Sequence, residues 1–336
     1  MISPRSLAAT ILGLTLTLAG ASSPGASSGS ASPQPIQPAI PVPANGAYFG
    51  AWVNPPGAVN EEGKTETLES QINRSLVLHM HYYGWGPAAA CGASPSACTP
   101  PFPDGSMQED RKKGRTPVVT WTCGDTNAIV AGGKDDALID ATAAAVKKFG
   151  KPVFLRWNWE MNLKTNSPKC LGTDTLQEAA YWYIRAWQHI HEHFAQNNVT
   201  NVVWLWNPGG APGDPDPKPY YPGPNYVDWI GFDGYDKEHK EDFGAVFGHF
   251  YSEFSSYKKP FLIAETGECP ETQDKYLDSA QAEIQGESNP GGYDFRMVKG
   301  FMYFDAPGNF RGCTWNFDND GIKGFAQMGA DPFFKP

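Results

Sequence analysis

Charged side chains are scarce in this 336-residue sequence, at 18%, and basic ones are outnumbered: 26 Lys and Arg against 36 Asp and Glu, a net charge of −10. A chain with no cationic surplus cannot displace counterions from nucleic acid or an anionic bilayer, so neither is expected as a partner. No C-x-x-C occurs among the six cysteines, and their spacings are not those of a zinc site. No G-x-G-x-x-G follows the first candidate strand and no phosphate loop is found, which leaves a nucleotide cofactor without a cradle. His189, His191 and His193 fall in His-Ile-His-Glu-His rather than H-E-x-x-H, so a metalloprotease helix is excluded and a solvated helix face expected. No cofactor and no metal are expected.

What is abundant points elsewhere. Aromatic residues reach 13%, with 11 Trp, 14 Tyr and 19 Phe, while 36 Gly and 30 Pro imply many loops. Such a chain can fill a core and still present aromatic faces to a neutral polymer. Arg5, the apolar run Leu7 to Leu18 and the small residues Ala19 to Ala21 read as an export signal over 1–21, too short to stay as a membrane anchor. Residues 22–44, rich in Ser, Ala, Gly, Pro and Gln without charge or aromatic, read as a disordered linker. The expected folded domain is therefore 45–336, from a secreted, extracellular protein acting as a monomer. Cysteines then belong in disulfides. Six allow fifteen pairings; Cys91–Cys98, Cys123–Cys170 and Cys269–Cys313 are favoured because each ties one loop or two successive ones. Asn73 and Asn198 open glycosylation sequons.

Over 45–336 short apolar strands alternate with helical segments eight times, the pattern of parallel βαβ units. Eight repeats over about 290 residues fit a closed (β/α)₈ TIM barrel, a single α/β domain. Two strands end alike. Val153 to Leu155 runs into Arg156, Asn158, Trp159 and Glu160; Phe261 to Ala264 runs into Glu265. Alternation puts Arg156, Asn158 and Glu160 on one face, and Glu265 on a face with Phe261 and Ile263. Two glutamates at the exits of strands four and seven face each other across a barrel mouth, as glycoside hydrolysis requires of its carboxyl pair. Trp121, Trp206 and Trp315 lead the strand-exit aromatics as platforms for sugar rings. His79 and His81 share one face of strand two and are candidates to bond substrate hydroxyls.

The motifs Arg156 to Asn162, Val203 to Pro208, Tyr220 to Tyr235 and Pro260 to Gly267 resemble those of glycoside hydrolase family 26, in the family's order and across most of the chain from Ala44. The resemblance implies a retaining (β/α)₈ glycosidase, with β-1,4-mannanases foremost and β-glucanases and xylanases beside them. It makes Glu160 the acid/base and Glu265 the nucleophile. Tyr235 matches the tyrosine that bonds the nucleophile, and Trp315 the tryptophan that floors the cleavage subsite. Two places depart: Trp159 stands where the family usually has His, a group that touches the sugar beside the cut bond, and Leu163-Lys164 follow Met161-Asn162 where the family usually shows Gly and an aromatic. The implied partner is a polysaccharide, mannan-type or β-glucan. A rival from another class is a barrel that binds glycans without cutting them.

Overall fold

The eight strands are present and close on themselves in chain order in the computed structural model, each parallel to its neighbours. They are β1 (Tyr48–Val53), β2 (Leu78–Tyr83), β3 (Thr116–Trp121), β4 (Val153–Trp157), β5 (Val202–Trp206), β6 (Trp229–Asp236), β7 (Phe261–Glu268) and β8 (Val298–Asp305). The helices are α1 (Glu61–Gln71), α2 (Ala88–Cys91), α3 (Gly105–Lys113), α4 (Asn127–Ala131), α5 (Asp136–Phe149), α6 (Pro168–Leu171), α7 (Leu176–Gln196), α8 (Phe243–Phe254), α9 (Gln273–Gln285) and α10 (Asn319–Ala330). The structure describes residues 39–54, 61–92, 94–163, 168–172, 175–237, 242–308 and 313–336. The expected signal segment and most of the expected linker lie outside them. Among the described residues, no helix is long and apolar enough to cross a membrane.

Local chemistry sets the helix ends. Gly150 closes α5 at φ +68°, a left-handed turn that glycine adopts without a Cβ penalty. Thr175 caps α7, its hydroxyl accepting from the Glu178 amide, as a capping box requires. The stretch between β2 and β3 contains α2 and α3, the latter capped by the Asp104 side chain.

Two apolar layers follow from strand alternation. Leu78, Met80, Val118, Phe154, Val203, Leu205, Trp229, Leu262, Ala264 and Met302 fill the barrel interior. The intervening residues, among them Val119, Leu155 and Ile230, pack outward against the helices. Ile40 joins the interior set and is buried, and the Tyr48 hydroxyl donates to the Pro41 carbonyl. The described residues 39–44 thus belong to the fold rather than to a linker. One isoleucine amid prolines is invisible to a composition average, yet it is enough to dock that segment.

The three disulfides join Cys91 to Cys98, Cys123 to Cys170 and Cys269 to Cys313. The second ties the loop after β3 to α6 beyond β4 across 47 residues of chain. Closing a loop of that length in the unfolded chain contributes up to about 4 kcal/mol. Replacing both Cys123 and Cys170 by Ser is therefore expected to lower the unfolding free energy by about that much, read from denaturant titration; an unchanged midpoint would refute the link's role.

Candidate active site

Above the apolar plug, toward the C-terminal ends of the strands, the barrel interior turns polar around one cation. Arg156 follows Phe154 on the inward face of β4 and is fully buried. Its guanidinium pairs with Glu265, donates to the Tyr82 hydroxyl at 2.9 Å and to Asn207 Oδ1 at 3.3 Å, and lies 3.3 Å from Asp233 Oδ2. Its Nε is held by the Thr120 hydroxyl of β3. A buried charge needs this many partners to offset its lost hydration.

Glu265 reaches this layer through an irregularity. Phe261 and Ile263 pack outward, while Leu262 and Ala264 face the barrel. Strict alternation, by which the sequence put Glu265 on a face with Phe261 and Ile263, would therefore turn it outward, away from the mouth where it was expected. The ladder shifts there: Phe232 pairs with Ile263, but the next β6 residue, Asp233, pairs with Glu265. The extra residue, Ala264, forms a bulge that turns Glu265 to the same side as Asp233. There it accepts from Tyr82 and from Tyr235, each at 2.6 Å, besides Arg156.

Glu160 arrives differently. β4 ends at Trp157, and Asn158 and Glu160 both take left-handed backbone conformations, at φ +47° and +52°. The same-face count therefore stops at Arg156, and Asn158 turns aside to donate to Asn127 Oδ1 at 3.4 Å. The Glu160 amide donates to the Asn207 carbonyl at 2.7 Å, tying the turn to the end of β5. Asn162 reinforces that link: its side chain donates to the carbonyls of Gly209 and Pro215 and accepts from the Gly209 amide. Gly231 keeps the floor open, because a Cβ there would meet Asn207 Oδ1 at 2.4 Å.

One oxygen each from Glu160, Asp233 and Glu265 lies within 4.8 Å of the others. A single guanidinium cannot balance three carboxylates, so protons are retained. Burial, then the charge of Glu265, pushes the Glu160 carboxyl up to about 8. The same two causes, in the same order, hold Asp233 well above the usual carboxylate range. Among donors of this kind the Arg156 guanidinium already fills the place a cation would take.

Aromatic rings border the cleft. Trp315 stacks on Tyr235 with centroids 4.8 Å apart, and Trp52 and Trp159 meet Tyr82 edge-on at 4.8 and 5.5 Å. Phe304 lies between Tyr82 and Tyr235. Four expected site residues lie elsewhere. Trp121 is buried outside the barrel wall, stacked on Trp85, and Trp206 packs there on Tyr221 and Phe254. His79 and His81 also face outward, each bonded to Asp110 of α3, at 2.8 and 2.5 Å. All four sit one step out of phase with an inward residue, so proximity to a strand end misled where alternation would not. Phase also reveals what the sequence reading passed over. Met80 lies on the inward face of β2, and Asp233 precedes Tyr235 by two on β6.

Comparison with known proteins adds sequence likeness to this geometry. Residues 138–290 match the profile of Glycosyl hydrolase family 26. Endoglucanase H of Acetivibrio thermocellus is 27% identical over 231 residues, 66% of this chain and 24% of that protein. Mannan endo-1,4-beta-mannosidase A and B of Caldalkalibacillus mannanilyticus is 30% identical over 92 residues, 27% of this chain and 17% of that one. The chain thus spans a quarter or less of the curated relatives it matches. A solved Bacillus subtilis mannanase structure superposes with a TM-score of 0.59 at 17% identity, covering 85% of each chain, which shows the shared barrel.

The electrostatics of the trio are open to direct measurement. Carboxyl ¹³C NMR should show Glu160 titrating near pH 8. Glu265→Gln removes the neighbouring charge and should lower that midpoint; a midpoint that stays in place would mean that Glu265 is not the charge Glu160 senses.

Proposed function

We propose that this chain, whose residues 138–290 match glycosyl hydrolase family 26, is a secreted, retaining endo-glycoside hydrolase acting on a β-1,4-linked polysaccharide, mannan or glucomannan first. The observation that carries this reading is the approach of Glu160 and Glu265 to within 4.8 Å in contrasting surroundings. Retaining glycosidases set their two carboxyls about 5–5.5 Å apart, whereas inverting ones leave room for a water between. Arg156, Tyr82 and Tyr235 hold three bonds to Glu265, a setting for an ionised carboxylate presented to the anomeric carbon. Glu160, with its retained proton, stands ready to protonate the leaving oxygen. In the second step it serves as base for the water that frees the sugar, and Glu265 leaves. Trp315 is buried, at 5% exposure, and stacks on Tyr235, so it backs the tyrosine that bonds Glu265. The three disulfides and the leader-like N-terminus support export.

A β-1,3/1,4-glucanase is the second reading, and Trp159 is what favours it. The indole contacts Tyr82 and lies 5.8 Å from the Arg156 guanidinium, so it stands beside the reacting centre where relatives place a histidine. An apolar plate there removes a hydrogen-bonding group from the sugar at that subsite and leaves the carboxyl pair in place. Initial rates on mannan, glucomannan, lichenan and xylan separate the two readings.

Four outcomes are expected. Glu265→Ala abolishes turnover while polysaccharide retention in affinity electrophoresis persists; hydrolysis surviving the change would reject the nucleophile. Early products followed by ¹H NMR keep the β-anomer, and first release of the α-anomer would reject retention. The sign of the pH dependence follows from Glu160 acting in its protonated form: kcat/KM holds up to the region of pH 8 and falls above it. Glu160→Ala should remove that alkaline limb and slow natural substrates by about 10²–10⁴, but slow activated aryl glycosides far less.

A further inference from the structure

Away from the cleft, α5 and α7 pack side by side on the outside of the barrel, and their facing surfaces carry four residues in matched register. His189 and His193 lie one turn apart on α7, and Asp136 and Asp140 one turn apart on α5. His189 Nε2 approaches Asp136 Oδ1 at 2.6 Å, and His193 Nε2 approaches the same oxygen at 3.5 Å. The sequence reading had these histidines as solvated; they are instead partly buried against the neighbouring helix. His191, on another face of the helix, packs against Trp204 and Tyr226 and takes no part.

We propose that this cluster is a binding site for one zinc-type divalent cation, with His189 Nε2, His193 Nε2 and the Asp136 carboxylate as ligands. Two imidazole nitrogens and a carboxylate oxygen form a borderline donor set that suits zinc, nickel or copper over magnesium or calcium. The three donor atoms already lie within 4.8 Å of one another. Ligands on one tetrahedral zinc sit about 3.3 Å apart, so the 3.5 Å contact is nearly right and the 2.6 Å one must open by about 0.7 Å. Asp136 keeps 39% of its side chain exposed, which leaves it free to make that adjustment and gives the ion a path in.

The second observation is the support behind the ligands. His193 Nδ1 bonds to Asp140 Oδ1 at 2.8 Å, and Asn197 Nδ2 donates to that same oxygen and to the His193 carbonyl. A carboxylate on the far ring nitrogen is the usual outer support of a metal-bound imidazole: it keeps the proton on Nδ1 and points the Nε2 lone pair at the ion. The other outlying His–Asp cluster lacks this opening. His79, His81 and Asp110 are fully buried, and the Arg115 guanidinium, 3.3 Å from Asp110, already supplies the positive charge.

The site has a mechanical role. α5 leads into β4 and α7 follows it, so an ion here fastens together the two helices that flank the strand carrying Arg156. Binding to the folded form alone stabilises that form by mass action.

The test uses the full chain with no polyhistidine tag, stripped of metal by chelator and titrated calorimetrically with zinc chloride. One ion per chain is expected, with a higher thermal midpoint in zinc but not in magnesium. Cobalt(II) should give the visible absorption of a four- or five-coordinate site. The double variant His189→Ala/His193→Ala should lose both signals while keeping its circular dichroism. Asp140→Asn, which touches no ion directly, should weaken binding by about 10–100-fold without changing stoichiometry. Absence of zinc binding at millimolar concentration, or binding that survives the double variant, overturns the proposal.

Discussion

The buried pairing of Arg156 with Glu265 is the contact on which the cleft depends. Arg156 is the cation around which three carboxylates gather at the top of an otherwise apolar barrel core. Remove it, and Glu265 would lose its counter-charge in a place where water cannot replace it, and would be driven to take a proton as well. With it, charge is apportioned unequally: Glu265 takes the guanidinium and two phenols, while burial and the neighbouring charge of Glu265 keep protons on Glu160 and Asp233. Chemical asymmetry between two residues of the same type thus comes from how one arginine divides its five N–H groups.

That arginine is itself held by the strand order. Its partners come from β2, β3, β6, β7 and the end of β5, elements far apart in sequence that only a closed barrel brings within hydrogen-bond reach. Satisfying a buried guanidinium so fully ties the position of each strand exit to the others. A shift of one strand would therefore cost stability and disturb the cleft together, which links fold to chemistry more closely than either layer of hydrophobic packing does.

Much of this was legible in the chain. Eight strand–helix alternations gave the barrel, the two glutamates stood out at their strand exits, and the three cysteine pairs followed from adjacency of loops. Faces were harder. Where a strand is regular, period two is reliable, and reading β2 or β5 by that rule would have turned His79, His81 and Trp206 away from the mouth. Where the backbone departs from the strand, no period applies. The bulge at Ala264 and the left-handed turn at Asn158 and Glu160 arise from interstrand pairing and from loops that meet across the mouth, neither of which a local pattern encodes. Ile40 shows the same limit at small scale, since its partner is the whole barrel floor rather than any neighbour in sequence.

The two carboxyls also differ in how firmly they are carried. Glu265 projects from the middle of β7, paired on its β6 side and gripped by three side chains, whereas Glu160 rides a turn fastened chiefly through Asn207 and Asn162. An attacking atom gains from being immovable, because bond formation tolerates little error in distance or angle. A proton carrier has two appointments, first with the departing oxygen and then with an incoming water, and these need not occupy the same point. In the mechanism proposed above, the strand-held carboxyl is the attacking one and the turn-borne carboxyl the proton carrier, so the firmer support falls to the group that must form a bond.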